Sequence, residues 1–196
     1  MPRTPDPTKR TELLRAIAEY LQEHGVADLS LAPLAEELGT SKRMLLYDFE
    51  DRDTLLAEAL AASRANMAEL FEGVEDRAGL RAAAETMWHA ITEGDQRRMI
   101  RMQLQVLSLA TTQRETYGST AVTNVYVLTE PIAAAFERAG FSADEAAARA
   151  TLLVSGLRGL CQDLLVTGDR KRVDAAVQMA IDAATDRARA RSREKL

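Results

Sequence analysis

Lys42, Arg43 and Tyr47 place an ammonium, a guanidinium fork and a phenolic hydroxyl within one short stretch of chain. Those groups suit nucleic acid: an arginine fork can grip a guanine edge at two points, and an ammonium or hydroxyl can bond a phosphate oxygen. Stepped at about 100° per residue, Arg43 and Tyr47 share one face of a helix while Leu45 and Phe49 share the opposite one. Lys42 falls in the first turn, beside free backbone N–H groups. Taken alone, such a face is equally a solvated surface. Its setting decides between the two.

That setting runs from Leu29 to Leu56. Ser30 is placed to cap a first short helix, with Pro33 still inside the first turn, where a missing N–H costs little. Leu31, Leu34, Ala35 and Leu38 recur at helical spacing. Gly39 accepts the left-handed conformation that ends a helix, and Ser41 is placed to cap the next. Arg52 opens a third helix, whose N-terminus itself favours a phosphate. Cap, helix, glycine, cap and helix form the pattern of a helix-turn-helix, which lays its second helix in a DNA major groove.

The run Gly39–Phe49 (GTSKRMLLYDF), with Arg52 and Leu55 after it, resembles the recognition signature of the TetR family of bacterial transcriptional regulators. Two positions differ from the common pattern: Leu46 stands at the usual tyrosine, with the aromatic one place later at Tyr47, and Asp48 replaces an aromatic or histidine. Both leave the inward face intact. The candidate DNA contacts are Ser41, Lys42, Arg43, Met44, Tyr47 and Arg52. The resemblance implies an N-terminal three-helix reading domain, a C-terminal ligand-binding and dimerisation domain, and a homodimer on a palindromic operator. Repression is the commoner sign in the family.

Composition fits an all-α chain. Of 196 residues, 46% are hydrophobic but only 5% aromatic, with Ala, Leu, Glu and Arg abundant. There is no run of alternating β-branched residues. No apolar stretch approaches the roughly 20 residues a membrane span needs, so no membrane partner is expected. The polar N-terminus MPRTPDPTKR reads as neither signal nor anchor, and the single Cys161 fits a reducing cytoplasm. Charge runs against DNA binding: residues 1–56 hold seven Lys/Arg and eleven Asp/Glu, and the whole chain is −5. The cations Arg3, Lys9 and Arg10 ahead of the first helix, with Lys42, Arg43 and Arg52, concentrate what positive charge there is. Weak binding to random DNA and reliance on specific contacts follow.

Glycines punctuate the rest. Helices are expected over Thr8–His24, Arg52–Phe71, Leu80–Glu93, Gln96–Arg114, Thr120–Ala139, Asp144–Thr167 and Lys171–Arg193, with breaks at Gly25, Gly73, Gly94, Gly118, Gly140 and Gly168. The spaced arginines of the end, RARARSREK, read as a solvated helix end. The working division is a reading domain over 1–56 and a ligand and dimer domain over 57–196.

Met87, Trp88, Met99, Met102, Gln103, Val106, Tyr126, Thr129, Ile132 and Phe136 are candidate walls for a small, mostly apolar effector, since methionine adapts its shape and a few polar groups give orientation. The same stripe describes an ordinary core. Pro131 inside its helix would kink it and open space. Leu152, Ser155, Gly156, Gly159, Val177 and Ala180 are candidate dimer residues: in-helix glycines cost about 1 kcal/mol each relative to alanine, which close approach of a second helix would offset. The alternative is that these two helices pair only with each other. His24 and His89 are far apart, and no HExxH, CxxC, phosphate-cradling loop or GxSxG is present, so neither enzyme chemistry nor a cofactor or metal is called for. The competing reading is a helical interaction protein that has lost specific DNA binding.

Overall fold

The computed structural model describes residues 7–27, 29–62, 67–93 and 96–186. Arg3, Gly94 and the arginine-spaced end lie outside those residues. Among the described residues the chain is all helical: α1 (Pro7–His24), α2 (Leu31–Glu37), α3 (Lys42–Phe49), α4 (Arg52–Ala62), a 3-10 turn (Met67–Phe71), α5 (Arg77–Thr92), α6 (Gln96–Thr112), α7 (Arg114–Arg138), α8 (Ala143–Thr167) and α9 (Arg170–Thr185).

Two compact units emerge, each assembled from separate stretches: 1–66 with 90–126, and 67–89 with 127–196. The helix-turn-helix therefore belongs to a unit that also takes in α6 and the first half of α7. Its core joins Ile17 and Leu21 of α1, Leu34 of α2, Leu45 and Phe49 of α3, Leu55, Leu56 and Leu60 of α4, and Met99, Met102, Val106 and Tyr117. Helix α2 ends in a left-handed Gly39 (φ 62°), with the Thr40 N–H reaching back to the Ala35 carbonyl and the Gly39 N–H to that of Glu36. This paired closure turns the chain sharply into α3.

The second unit is organised by α8 against α9. Val173, Val177, Ile181 and Ala184 of α9 are buried, as are Ala146, Ala150, Leu153, Val154, Leu157, Cys161 and Leu164 of α8. Ser142 caps α8 and Asp169 caps α9, and Gly168 (φ 71°) makes the left-handed turn between them. Arg172 grips Asp163 across that turn at 2.7 and 2.8 Å, which holds the Asp163 carboxyl below its ordinary range and raises the guanidinium.

Three expectations change. Ser30 sits in the extended conformation of a cap but makes no side-chain capping bond. Pro33 is the third helical residue, so the N–H that a cap serine commonly takes is absent. The helix expected over Arg52–Phe71 is not one element, because 67–71 is a 3-10 turn whose Phe71 carbonyl, with that of Val74, accepts from Arg138. Gly118 does not break a helix: α7 starts at Arg114 and runs through it, the Arg114 stem lying over the glycine and Tyr117 buried beside it. It also runs through Pro131.

Candidate nucleic-acid interface

Helix α3 is eight residues long, too short to hold its shape without outside ties. It has several. The Ser41 hydroxyl accepts from the Met44 N–H at 3.2 Å, as the sequence implied. Leu45 and Phe49 are almost wholly enclosed in the core of the unit. At the far end, Arg10 of α1 donates to the Asp48 carbonyl at 3.2 Å and to Glu58 of α4 at 2.7 Å, while its guanidinium lies 4.6 Å from the Phe49 ring centre. One arginine thus joins α1, α3 and α4. Arg10 lies inside α1 and is occupied with this clamp, so it is not a loose cation ahead of the first helix.

The opposite face is open. Lys42 and Arg43 are exposed and make no ion pair with any described residue; Met44 and Tyr47 are exposed beside them, Tyr47 at 69%. Asp48 is exposed at the trailing edge. Ammonium, fork, thioether and phenol are thus all exposed on one short helix whose Leu45 and Phe49 are buried. Lys9 is exposed as well.

Arg52 has other company. Its Nε donates to the Leu29 carbonyl at 3.1 Å, Nη1 to Asp53 at 3.2 Å and Nη2 to the Tyr117 hydroxyl at 3.0 Å. Tyr117 in turn donates to the Val26 carbonyl at 3.3 Å, and the Val26 N–H donates to Gln105 Oε1 at 3.3 Å. The guanidinium is half-buried and turned into this network. Nor is the start of α4 an open anion site. Asp51 already accepts from the Thr54 N–H at 2.7 Å, and that bond keeps its carboxyl below the usual range. Between α3 and α4 the chain turns through Glu50 (φ 64°), and Asp51 N–H reaches the Phe49 carbonyl at 2.7 Å, a tight and strained three-residue turn.

The candidate effector walls fall in two groups. Met99, Met102 and Val106 are buried in the core of the first unit against the reading helices, with Gln103 half-buried and Tyr126 exposed. Met87, Trp88, Ile132 and Phe136 are buried in the second unit, with Thr129 half-buried. Trp88 Nε1 donates to Asp174 of α9 at 3.0 Å, and Phe136 stacks edge-on with Phe141 at 5.6 Å. Two open clefts have other linings. One of about 360 Å³ is bounded by Ala110, Arg114, Gly118, Ser119, Ala121 and Val122; one of about 440 Å³ includes Phe71, Glu72, Pro131 and Arg138.

The candidate dimer residues also divide. Leu152, Ser155 and Gly159 are exposed on the outer face of α8, in line with Val166 at 81%. Gly156 faces its own chain, since a Cβ there would lie 3.8 Å from that of Ala180 on α9. Val177 is fully enclosed. The exposed partner on α9 is Met179.

Sequence reasoning named Arg10 only as a cation near the first helix and missed its clamp, and it missed Tyr117, Gln105 and Glu58 altogether; their partners lie 38 to 91 residues away along the chain. Asp51 was findable, as a cap-type residue directly before a helix.

Residues 13–59 match the family model of "Bacterial regulatory proteins, tetR family". A 69-residue stretch is 36% identical to the HTH-type transcriptional regulator BetI of Stenotrophomonas maltophilia, covering 35% of this chain and 34% of that relative. The match therefore spans about a third of the relative's length. The fold is similar throughout to a TetR transcriptional regulator from Legionella pneumophila (TM-score 0.70, 13% identity, 95% of this chain and 100% of that one). It is also similar to the multidrug binding protein EbrR, solved with imidazole (TM-score 0.68, 20% identity, 96% of each chain).

Proposed function

We propose that this chain, whose residues 13–59 match the TetR family model, is a ligand-responsive transcriptional regulator of that family, a repressor, that reads a palindromic operator as a homodimer. The observation that carries this is α3 itself: Lys42, Arg43, Met44 and Tyr47 face outward while Leu45 and Phe49 are locked inward. Arg43 is assigned a base edge, Lys42 and Tyr47 phosphates, Met44 a thymine methyl, and the Ser41 region the entry of the helix. Arg52 acts by positioning: it ties the start of α4 to Leu29 and Tyr117 rather than standing free for a phosphate.

Dimerisation is assigned to the outer faces of α8 and α9, where Leu152, Ser155, Gly159, Val166 and Met179 leave apolar surface uncovered. A two-fold dimer sets two reading helices about one turn of DNA apart, roughly 34–36 Å, which a palindrome matches. The working division is a reading part over 1–56 and an effector and dimer part over 57–196. Packing of α6 and Tyr117 with the reading helices supplies a route by which an effector biases the reading heads. That EbrR is a multidrug binding protein is in keeping with a small-molecule effector. The cytoplasm is the expected compartment; no helix among the described residues is long and apolar enough to cross a membrane.

Selection of bound DNA from a random pool tests the reading. A palindromic consensus is expected. Recovery of no consensus, with the chain folded, favours the interaction-protein reading that the −4 charge of residues 1–56 keeps in play.

A further inference from the structure

The segment between α1 and α2 sets how the helix-turn-helix leaves α1, and side chains far outside that motif hold it. Val26 is wholly buried, and both of its backbone polar groups are taken by other helices. Its N–H donates to Gln105 Oε1 of α6 at 3.3 Å, and its carbonyl accepts from the Tyr117 hydroxyl of α7 at 3.3 Å. The Leu29 N–H reaches the same carbonyl at 3.4 Å. Gly25 (φ 81°) leaves room for the amide, since a Cβ there would lie 3.2 Å from Gln105 Oε1. Arg52 of α4 closes the circuit, donating to the Leu29 carbonyl at 3.1 Å and to the Tyr117 hydroxyl at 3.0 Å. One phenolic oxygen, on a buried ring, thus accepts from α4 and donates to the segment.

Helix α2 opens at Leu31, two residues after Leu29, and the paired bonds of the Gly39 turn join α2 to α3. The heading of α3 therefore depends on where Val26 and Leu29 are held. Apolar contact beneath the helices is non-directional, so it keeps them on the core without fixing that heading. Hydrogen bonds are directional and do fix it. Removing one partner of a buried bond also leaves the other group unsatisfied, so the segment would shift to find a new partner rather than stay in place.

We propose that Tyr117 and Gln105 are positioning residues for operator reading, acting through Val26 on the heading of α2 and α3. This rests on the operator-reading proposal above and extends it to side chains that lie outside the matched residues 13–59. Neither is assigned a DNA contact. Their part is to make α6 and α7 members of the reading element, so that the three N-terminal helices alone do not define the reading geometry.

Three full-length variants test it against wild type, on the operator recovered from a random pool and on a random duplex of equal length, at a temperature where circular dichroism shows each chain folded. Tyr117→Phe keeps the ring and removes both hydroxyl bonds, Gln105→Met keeps the shape and removes the acceptor, and Gln105→Glu keeps the acceptor. The first two should bind the operator about ten-fold more weakly, with random-duplex binding changed by less than about two-fold. Gln105→Glu should bind both as wild type does. A merely structural loss would weaken both DNAs in proportion. The half-buried Gln105 keeps the test open should Tyr117→Phe melt below the assay temperature. Hydrogen exchange gives a readout without DNA: in Tyr117→Phe and Gln105→Met the Leu29, Gly39 and Thr40 amides should exchange about ten-fold faster, with the amides of α8 unchanged. Any of three results overturns the proposal: an operator-to-random ratio kept at the wild-type value in Tyr117→Phe and Gln105→Met, Gln105→Glu losing as much as Gln105→Met, or unchanged exchange at those three amides. A wild-type chain that selects no operator overturns the regulator reading instead, and the exchange result then decides this inference by itself.

Discussion

Helices α3 and α8 each bury one face and expose the other, but the exposed faces differ in kind. Lys42, Arg43 and Tyr47 make the outer face of α3 polar and cationic, so it is content in water and primed for a polyanion. The outer face of α8 exposes Leu152, Gly159 and Val166, and α9 exposes Met179, so large apolar side chains stand uncovered on both helices. Such a face gains by being covered. The means of support differ too. The eight-residue α3 is held by a cap, an arginine clamp and two enclosed side chains, whereas the 25-residue α8 is held by a long apolar stripe. A reading element needs fixed orientation more than area, and an association element needs area.

Substitutions sharpen this contrast, beginning with the core under α3. Leu45→Ala should cost about 2–5 kcal/mol, because it opens a cavity at one of the two fully enclosed side chains of α3. Chemical denaturation followed by circular dichroism would read that loss, and DNA binding should fall with it. Next in size is Met179→Asp with Leu152→Asp, which should leave each chain folded and shift the assembly to monomer in sedimentation; a dimer surviving both changes would remove the outer face of α8 and α9 from the interface. Arg10→Ala should then cost about 1–2 kcal/mol, through lost charge-assisted bonds to Glu58 and the Asp48 carbonyl. Smaller again, Glu50→Gly should raise stability by up to about 1 kcal/mol, since glycine adopts a positive φ without strain.

Much of α3 was legible in the sequence because its determinants are local. A 3.6-residue period separated Leu45 and Phe49 from Arg43 and Tyr47, and Ser41 and Gly39 marked its start and the turn before it. The cap expected at Ser30 failed for a local reason as well, Pro33, whose missing N–H is as visible in sequence as the serine. What stayed hidden depends on which helices meet. Nothing near Arg10 announces Glu58, and nothing near Arg52 announces Tyr117, 65 residues on. Helical periodicity says that a residue faces inward but not against what, so it named Met99 and Met102 as candidate walls without showing that they share a core with residues of α1 to α4. Gly156 likewise signalled a close approach without saying that the approaching helix was its own chain's α9.

The most direct test of the central claim is operator binding by Arg43→Ala, measured by fluorescence anisotropy across a salt series on the DNA recovered from the random pool. Arg43 is exposed and unpaired among the described residues, so stability should stay within about 0.5 kcal/mol of wild type. Discrimination at one position of each half-site should fall by roughly 1–3 kcal/mol, symmetrically. Lys42→Ala, run beside it, should weaken binding to all sequences alike and make the salt slope shallower by about one unit per subunit. If Arg43→Ala leaves both affinity and sequence preference unchanged, α3 is not the reading helix.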